Sequence, residues 1–179
     1  MPNLLPHKLS RTYMDPIGRG IARTGLTPNM VSLIGFCGNL GAAAVIAFVD
    51  LRLGGILMLV ASGLDLLDGA VARATNRVTR FGAILDAVLD RLSEAIVLIG
   101  LAYHYEDLGD HMLEVLLIYA ALTGSIMVSY VRARAESFGI ALREGLFTRP
   151  ERVVLLAAGL ITGLVVPALW ILAVLANLT

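Results

Sequence analysis

The chain carries its most informative sequence at residues 65–90, DLLDGAVARATNRVTRFGAILDAVLD. Two apolar runs, at about 53–75 and 82–105, meet at a short polar link inside this segment. Each run is close to the ~20 residues that a helix needs to cross the hydrocarbon core of a bilayer. A short link makes two such helices antiparallel neighbours. The segment therefore predicts a membrane-embedded helical hairpin with acidic side chains inside it.

Four aspartates share this hairpin. Asp65 and Asp68 are three residues apart and Asp86 and Asp90 are four apart, so each pair lies on one face of its helix. A charged side chain within a span costs about 2.5–3.5 kcal/mol on the insertion scale. Carboxylate oxygens are the ligands that hard divalent cations prefer. We therefore expect all four aspartates to converge on one or two ions of Mg²⁺ or Mn²⁺.

The residues beside the aspartates indicate a phosphate ligand. Gly69 and Gly82 leave room for the close approach of a ligand. Arg73 lies one turn beyond Asp68, where a guanidinium fork can bind phosphate. Acid, metal and guanidinium together are typical of a diphosphate site. The alternative from another class is a divalent-cation transporter, because intramembrane acids also mark ion pathways.

The composition places this hairpin in a membrane domain. The chain has 179 residues, of which 58% are hydrophobic and 16% charged, against roughly 25% charged in soluble domains. Its mean hydropathy is +0.81. The formal net charge is +0, so the basic excess of a nucleic-acid binder is absent and we expect no nucleic-acid partner.

Further helices flank the hairpin on both sides. Apolar runs at 30–49 and from 112 to about 136 predict two more spans, and Thr27-Pro28 marks the start of the earlier one. Thr148 and Glu151 read as a capping box that starts a fifth helix. A sixth helix begins near Pro167 and is shorter than a span requires. We therefore expect an all-α integral membrane protein with six transmembrane helices, the C-terminal one truncated.

An N-terminal segment, residues 1–26, precedes the membrane domain at 27–179. Apolar residues recur every four positions there while arginines occupy other faces, which predicts an amphipathic interfacial helix of about residues 16–24. Twelve of the 14 basic residues fall on one side of the predicted spans. The positive-inside rule makes that side cytoplasmic, so we expect a multi-pass protein of the cell membrane with its site and both termini facing the cytoplasm.

The spacing in residues 65–90 resembles the signature of the CDP-alcohol phosphotransferase family. The pattern is D-x-x-D-G-x-x-A-R at 65–73, then eight residues, then G-x-x-x-D-x-x-x-D at 82–90. The segment Leu-Thr-Pro-Asn at 26–29 is also similar to this family. The resemblance implies six transmembrane helices, a homodimer, and displacement of CMP from a CDP-linked donor by an alcohol.

The resemblance also implies roles for single residues. Asp65, Asp68 and Asp86 would bind metal, and Asp90 would close the metal site and act as general base, the catalytic residue. The donor-binding residues implied by the resemblance are Asn29, Gly69, Ala72, Arg73 and Gly82.

A basic segment after the fourth span bears on the acceptor. The sequences SYVRARAE at 129–136 and TRPER at 148–152 are similar to those of the bacterial phosphatidylinositol phosphate synthases within the family, although those usually have Lys where this chain has Arg132. The arginines here are either topological anchors or a pocket for an anionic acceptor. We favour the pocket, which predicts that the acceptor phosphate is bound by Arg132, Arg134, Arg149 and Arg152.

The sequence thus predicts a transferase of phospholipid biosynthesis in the lipid bilayer. Its donor would be CDP-diacylglycerol and its acceptor an anionic polyol phosphate, with inositol phosphate favoured and glycerol phosphate, the substrate of a phosphatidylglycerol phosphate synthase, as the alternative. We also expect Arg91 and Glu94, three residues apart, to form an internal ion pair.

Overall fold

The structure is a computed structural model that describes residues 20, 25–65, 67–74, 79–140 and 148–179, with the backbone alone for Asp68, Arg73 and Ala74. Within these residues the chain forms helices and no strand, so the all-α prediction is confirmed. The predicted interfacial helix at 16–24 lies, apart from residue 20, outside the described residues. The helices are α1 (Pro28–Phe48), α2 (Leu51–Asp65), α3 (Asp68–Ala74), α4 (Arg80–Leu108), α5 (Met112–Ser137), α6 (Arg149–Thr162) and α7 (Val165–Leu178).

Two helix starts follow the local signals in the sequence. Thr27 is the N-cap of α1, and its hydroxyl accepts the backbone N–H of Met30 at 3.4 Å. At α6, the Glu151 carboxylate accepts the backbone N–H of Thr148 at 2.6 Å, which forms the predicted capping box. These caps satisfy backbone donors that the first helical turn leaves without a partner.

In the part of the chain that the structure describes, three helical stretches are long and apolar enough to cross a membrane: Pro28–Phe48, Leu51–Ala72 and Met112–Ser137. They identify a membrane protein, although their number is smaller than the six predicted spans. Helix α4 is the longest of the described helices, at 29 residues or about 43 Å, but five charged residues among its first fifteen reduce its apolar character. Helix α7 is apolar and has 14 residues, fewer than a span requires.

The second apolar run is helical on both sides of residue 66, which lies outside the described residues. Helix α2 ends at Asp65, and α3 begins at Asp68. The backbone N–H of Leu67 donates to the carbonyl of Leu64 at 2.9 Å. The stretch Leu51–Ala72 is apolar and long enough to cross a membrane, as predicted for this run.

Helix α1 lies between the two acid-bearing helices, packing against both α2 and α4. The prediction that these two helices pack directly against each other is therefore wrong, because α1 separates them. A Cβ at Gly100 would lie 2.6 Å from the carbonyl oxygen of Ala43, so only glycine permits this approach of α4 to α1. Helices α5, α6 and α7 complete the bundle, with α6 packing against α2. The largest fully buried side chains of the core include Ile46, Met58, Leu101, Ile118, Leu160 and Leu169.

Candidate metal and acceptor site

Three aspartates from two helices meet where α2 ends and α4 begins. Asp65 is the last residue of α2, whereas Asp86 and Asp90 lie one turn apart near the start of α4. One carboxylate oxygen from each lies within 4.8 Å of the other two. Asp65 is buried, with 4% of its surface exposed, and the other two are half-buried. The structure thus brings together three of the four predicted metal ligands.

The remaining predicted ligand, Asp68, is the first residue of α3, and its side chain lies outside the described part of the chain. Gly69 and Ala72 follow on the same helix and are half-buried. The side chain of Arg73 also lies outside the described part. The roles of Asp68 and Arg73 stay predictions.

A glycine on α1 makes the space that Asp65 occupies. A Cβ at Gly35 would lie 2.9 Å from Asp65 Oδ1. One turn further along, the buried Asn39 accepts a hydrogen bond from the Ser62 hydroxyl at 3.3 Å, which also joins α1 to α2. The position of Gly35, one helix away from the acid motif, therefore fixes where the buried carboxylate can lie.

Two of the predicted donor-binding residues are neighbours. Thr79 caps α4 and accepts the backbone N–H of Gly82 at 2.9 Å. A Cβ at Gly82 would lie 3.2 Å from Asn29 Oδ1 at the start of α1. The glycine therefore leaves a narrow space between the starts of α1 and α4, next to the helix turn that carries Asp86.

Arg149, the first residue of α6, contacts two carboxylates of the acid cluster. Its Nη2 lies 2.8 Å from Asp65 Oδ2, and its Nη1 lies 2.6 Å from Asp90 Oδ1. This guanidinium joins α6 to both α2 and α4. Sequence reasoning assigned Arg149 to the acceptor phosphate and missed its contacts with the acids.

The acid cluster fits a divalent cation. Among the described residues, the buried Asp65 Oδ1 has no hydrogen-bond partner. Leaving such an atom without a partner costs about 1–3 kcal/mol, and more for a charged group. Hard oxygen ligands from three carboxylates are a donor set that suits Mg²⁺ or Mn²⁺. The orphaned oxygen and the neighbouring carboxylates therefore fit a divalent cation.

A second arginine of α6 pairs with a different acid. Arg152 Nε lies 2.8 Å from Glu94 Oε1, and Nη2 lies 3.1 Å from Oε2, so the contact is bidentate. The predicted ion pair between Arg91 and Glu94 is wrong. Arg152 engages both oxygens of Glu94, and Arg91 instead donates to the backbone carbonyl of Ala87 on its own helix.

A basic cavity of about 180 Å³ lies between α4, α5 and the start of α6. Its volume is below the range of about 300–1,000 Å³ that drug-sized ligands occupy, so it suits a small molecule. Hydroxyls of Ser129 and Thr148 also line it. Its charged lining consists of four arginines and two acids, Arg91, Arg132, Arg149, Arg152, Asp90 and Glu94.

Three of the four predicted acceptor arginines therefore line one cavity. The fourth, Arg134, is exposed, and its guanidinium carbon lies 4.6 Å from the centre of the Phe138 ring. Because Asp90 and Arg149 belong to both the acid cluster and the cavity wall, the two parts form one continuous site.

Comparisons with known proteins identify the family of this chain. The model of the CDP-alcohol phosphatidyltransferase family matches residues 25–179. An archaetidylinositol phosphate synthase of Pyrococcus horikoshii is 37% identical over 167 residues, which cover 93% of this chain and 86% of that protein. The crystal structure of Mycobacterium tuberculosis phosphatidylinositol phosphate synthase with CDP-DAG bound is similar, with a TM-score of 0.82, 32% identity, and coverage of 93% of this chain and 89% of that chain. The structure of the same synthase in complex with manganese and citrate has a TM-score of 0.84 and 32% identity, and the match covers 91% of this chain and 83% of that chain.

The chain belongs to the CDP-alcohol phosphatidyltransferase family and is a transferase. The resemblance predicted from residues 65–90 is thereby confirmed. Membership in this family also decides against the alternative of a divalent-cation transporter. The manganese complex of the related synthase, together with the carboxylate cluster here, fits the use of a divalent metal.

Proposed function

We propose that this transferase displaces CMP from CDP-diacylglycerol by the hydroxyl of a phosphorylated polyol, and that inositol phosphate is the preferred acceptor. The observation that carries this proposal is the basic cavity, which shares Asp90 and Arg149 with the acid cluster. An anionic acceptor bound there would lie directly beside a metal-bound diphosphate. Two observations on relatives support the choice of substrates. The structure of the mycobacterial synthase has CDP-DAG bound, and the mycobacterial and Pyrococcus relatives are both named as synthases of an inositol phosphate lipid.

Asp65, Asp68, Asp86 and Asp90 would hold two ions of Mg²⁺ or Mn²⁺. Such ions neutralise the charge that develops on a diphosphate and on the departing CMP. Asp90 faces the acid cluster and also lines the acceptor cavity. From that position its carboxylate would take the proton of the attacking acceptor hydroxyl, which is the role of a general base.

The donor nucleotide would bind along the starts of α1, α3 and α4. Gly69, Ala72, Gly82 and Asn29 would line its pocket, and Arg73 would contact the diphosphate. The space that Gly82 leaves beside Asn29 supports this assignment, because a side chain there would crowd the approach of a ligand.

The acceptor phosphate would bind in the basic cavity, where four arginines outnumber two acids. Arg132 and Arg149 would donate to it directly, since guanidinium forks match phosphate oxygens. Arg152 is engaged with Glu94 and would contribute positive potential from the cavity wall. Arg134 would add positive potential from outside the cavity.

The proposal includes an arrangement in the membrane. Residues 27–179 would form a six-span domain, matching the extent of the family model, and residues 1–26 an interfacial segment. The excess of basic residues on one side supports a site and both termini that face the cytoplasm, and the protein would be a homodimer.

Purified protein with Mg²⁺ and CDP-diacylglycerol would test the function through CMP release. We expect release with inositol phosphate to exceed that with glycerol phosphate, free inositol or serine. A preference for glycerol phosphate would instead identify the alternative, a phosphatidylglycerol phosphate synthase. A preference for free inositol or serine would contradict the anionic pocket.

A further inference from the structure

We propose that the guanidinium of Arg149 and the divalent cation compete for the carboxylates of Asp65 and Asp90, and that cation binding transfers Arg149 to the anion in the neighbouring cavity. The inference deepens the proposed function and rests on it for the identity of the metal and the anion. Arg149 would thereby couple occupation of the metal site to binding of the acceptor.

The competition follows from shared ligands. Arg149 contacts Asp65 and Asp90 at 2.8 and 2.6 Å, and both aspartates belong to the carboxylate cluster that fits a cation. A cation held by this cluster would lie close to the Arg149 guanidinium, so two positive charges would share the same two carboxylates. Like charges at such distances repel, and the repulsion is strong where water is largely excluded. Binding of one cationic group therefore weakens the other.

The cavity offers Arg149 a second position. Its side chain lines the cavity and is 21% exposed. Its Nε atom is buried and has no hydrogen-bond partner among the residues that the structure describes. A phosphate in the cavity can accept two parallel hydrogen bonds from one guanidinium. The contacts with Asp65 and Asp90 thus leave a donor that an anion would satisfy.

Arg152 provides the fixed point for this exchange. It lies one turn after Arg149 on α6, and both oxygens of Glu94 are engaged by its guanidinium. Glu151 and Thr148 cap the same helix end. With the start of α6 held in this way, Arg149 can change partner by rotating its side chain alone.

The exchange predicts a reciprocal coupling. If the cation moves Arg149 toward the cavity, the cation must strengthen phosphate binding, and phosphate must strengthen cation binding by the same factor. A charge-assisted hydrogen bond changes an affinity by about tenfold or more, so we expect a coupling of about that size.

Binding of Mn²⁺ alone, measured by electron paramagnetic resonance on the purified protein, tests this inference. Without phosphate, Arg149→Gln should bind Mn²⁺ about tenfold more tightly than the wild type. Arg132→Gln is the matched control: it removes one positive charge from the same cavity, and we expect a much smaller change. Saturating inorganic phosphate should tighten Mn²⁺ binding about tenfold in the wild type and leave Arg149→Gln nearly unchanged.

Unchanged or weaker Mn²⁺ binding by Arg149→Gln would overturn the competition, and full coupling in that variant would show that phosphate acts on the metal without Arg149. If Arg149→Gln does not fold, Arg149→Lys keeps the charge but loses the fork. It should reduce the coupling, and wild-type coupling in it would overturn the proposal. Failure of the proposed function is a separate result. Absence of CMP release would disprove the proposed reaction, whereas an active enzyme without coupling between Mn²⁺ and phosphate would disprove only the exchange of partners by Arg149.

Discussion

The start of α6 presents two arginines, one turn apart, to two acids of α4 that are also one turn apart. Arg152 directs two donors to the single carboxylate of Glu94, and these side chains are 6% and 11% exposed. Arg149 donates a hydrogen bond to Asp65, forms an ion pair with Asp90, is 21% exposed, and lines the basic cavity. Both contacts line the basic cavity. We call the less exposed Arg152–Glu94 pair the closed contact, and the Arg149 contacts, whose carboxylates belong to the acid cluster, the open contact.

The difference lies in what surrounds each contact. Removing one partner of a buried ion pair leaves a charge without compensation and costs about 3–5 kcal/mol. Among the residues that the structure describes, the ion-pair partner of Glu94 is Arg152. Asp65 and Asp90 belong to a carboxylate cluster that fits a divalent cation, which can compensate their charge when the arginine moves.

The largest effect is expected at the acid of the open contact. Asp90→Asn should lower turnover by about 10²–10⁴-fold, because it removes the proton acceptor while keeping the size of the side chain. CMP release measures this, with Asp107→Asn, an exposed acid at the far end of α4, as the control. Near-normal turnover of Asp90→Asn would disprove the base assignment.

The closed contact should dominate stability. Arg152→Gln should lower the free energy of unfolding by about 3–5 kcal/mol, because it leaves Glu94 buried and charged. Thermal unfolding in detergent measures the loss, and Arg91→Gln, which removes only a bond to a backbone carbonyl, is the control. The double variant Glu94→Leu/Arg152→Met should recover most of the stability. Wild-type stability of Arg152→Gln would contradict the closed contact.

Mg²⁺ should restore the stability that is lost when the open contact is broken, but not the stability that is lost when the closed contact is broken. In EDTA, Arg149→Gln should lose about 1.5–3 kcal/mol, the contribution of a hydrogen bond to a charged group. Added Mg²⁺ should restore most of this loss by compensating Asp65 and Asp90, whereas Arg152→Gln should gain no more than the wild type does. The same thermal unfolding assay measures both variants, and an equal response to Mg²⁺ would remove the distinction between the two contacts.

A side chain at Gly35 on α1 should displace the Asp65 carboxylate and thereby weaken the open contact. Gly35→Ala would place a Cβ 2.9 Å from Asp65 Oδ1, and such overpacking costs about 1–3 kcal/mol. We expect lower stability together with weaker Mn²⁺ binding. Gly41→Ala on the same helix meets nothing within 4 Å and should change neither quantity. Equal Mn²⁺ affinities of the two variants would show that Gly35 does not position Asp65.

The smallest effect is expected on the cavity wall away from the acids. Arg132→Ala should raise the KM for the acceptor about tenfold and leave the KM for the CDP-lipid nearly unchanged. Arg134→Ala, whose side chain lies over Phe138 and outside the cavity, should change both constants little. If the two variants behave alike in steady-state kinetics, the cavity does not select the phosphate.

The sequence predicted the parts of this site that depend on local spacing. The helix starts at Thr27 and Thr148 follow caps within one turn. The sequence also predicted that Asp65 meets Asp86 and Asp90, but it placed their helices side by side, whereas α1 packs between them. Only the helix starts needed no knowledge of how distant helices pack.

Contacts between distant segments could not be predicted in the same way. Arg149 and Asp65 are 84 positions apart, and their contact depends on how α6 packs against α2. The pair of Arg152 with Glu94 replaced the predicted pair with Arg91 for the same reason. One signal was present, since the acids of α4 and the arginines of α6 repeat at helical spacing, but spacing alone does not tell which helices face each other.

A structure of the protein with Mn²⁺ and inorganic phosphate bound would test the two-contact account most directly. The account predicts a Mn²⁺ ion among Asp65, Asp86 and Asp90, the Arg149 guanidinium on the phosphate in the cavity, and Arg152 still bidentate on Glu94. An Arg149 that remains on Asp65 and Asp90 with both Mn²⁺ and phosphate in place would contradict it.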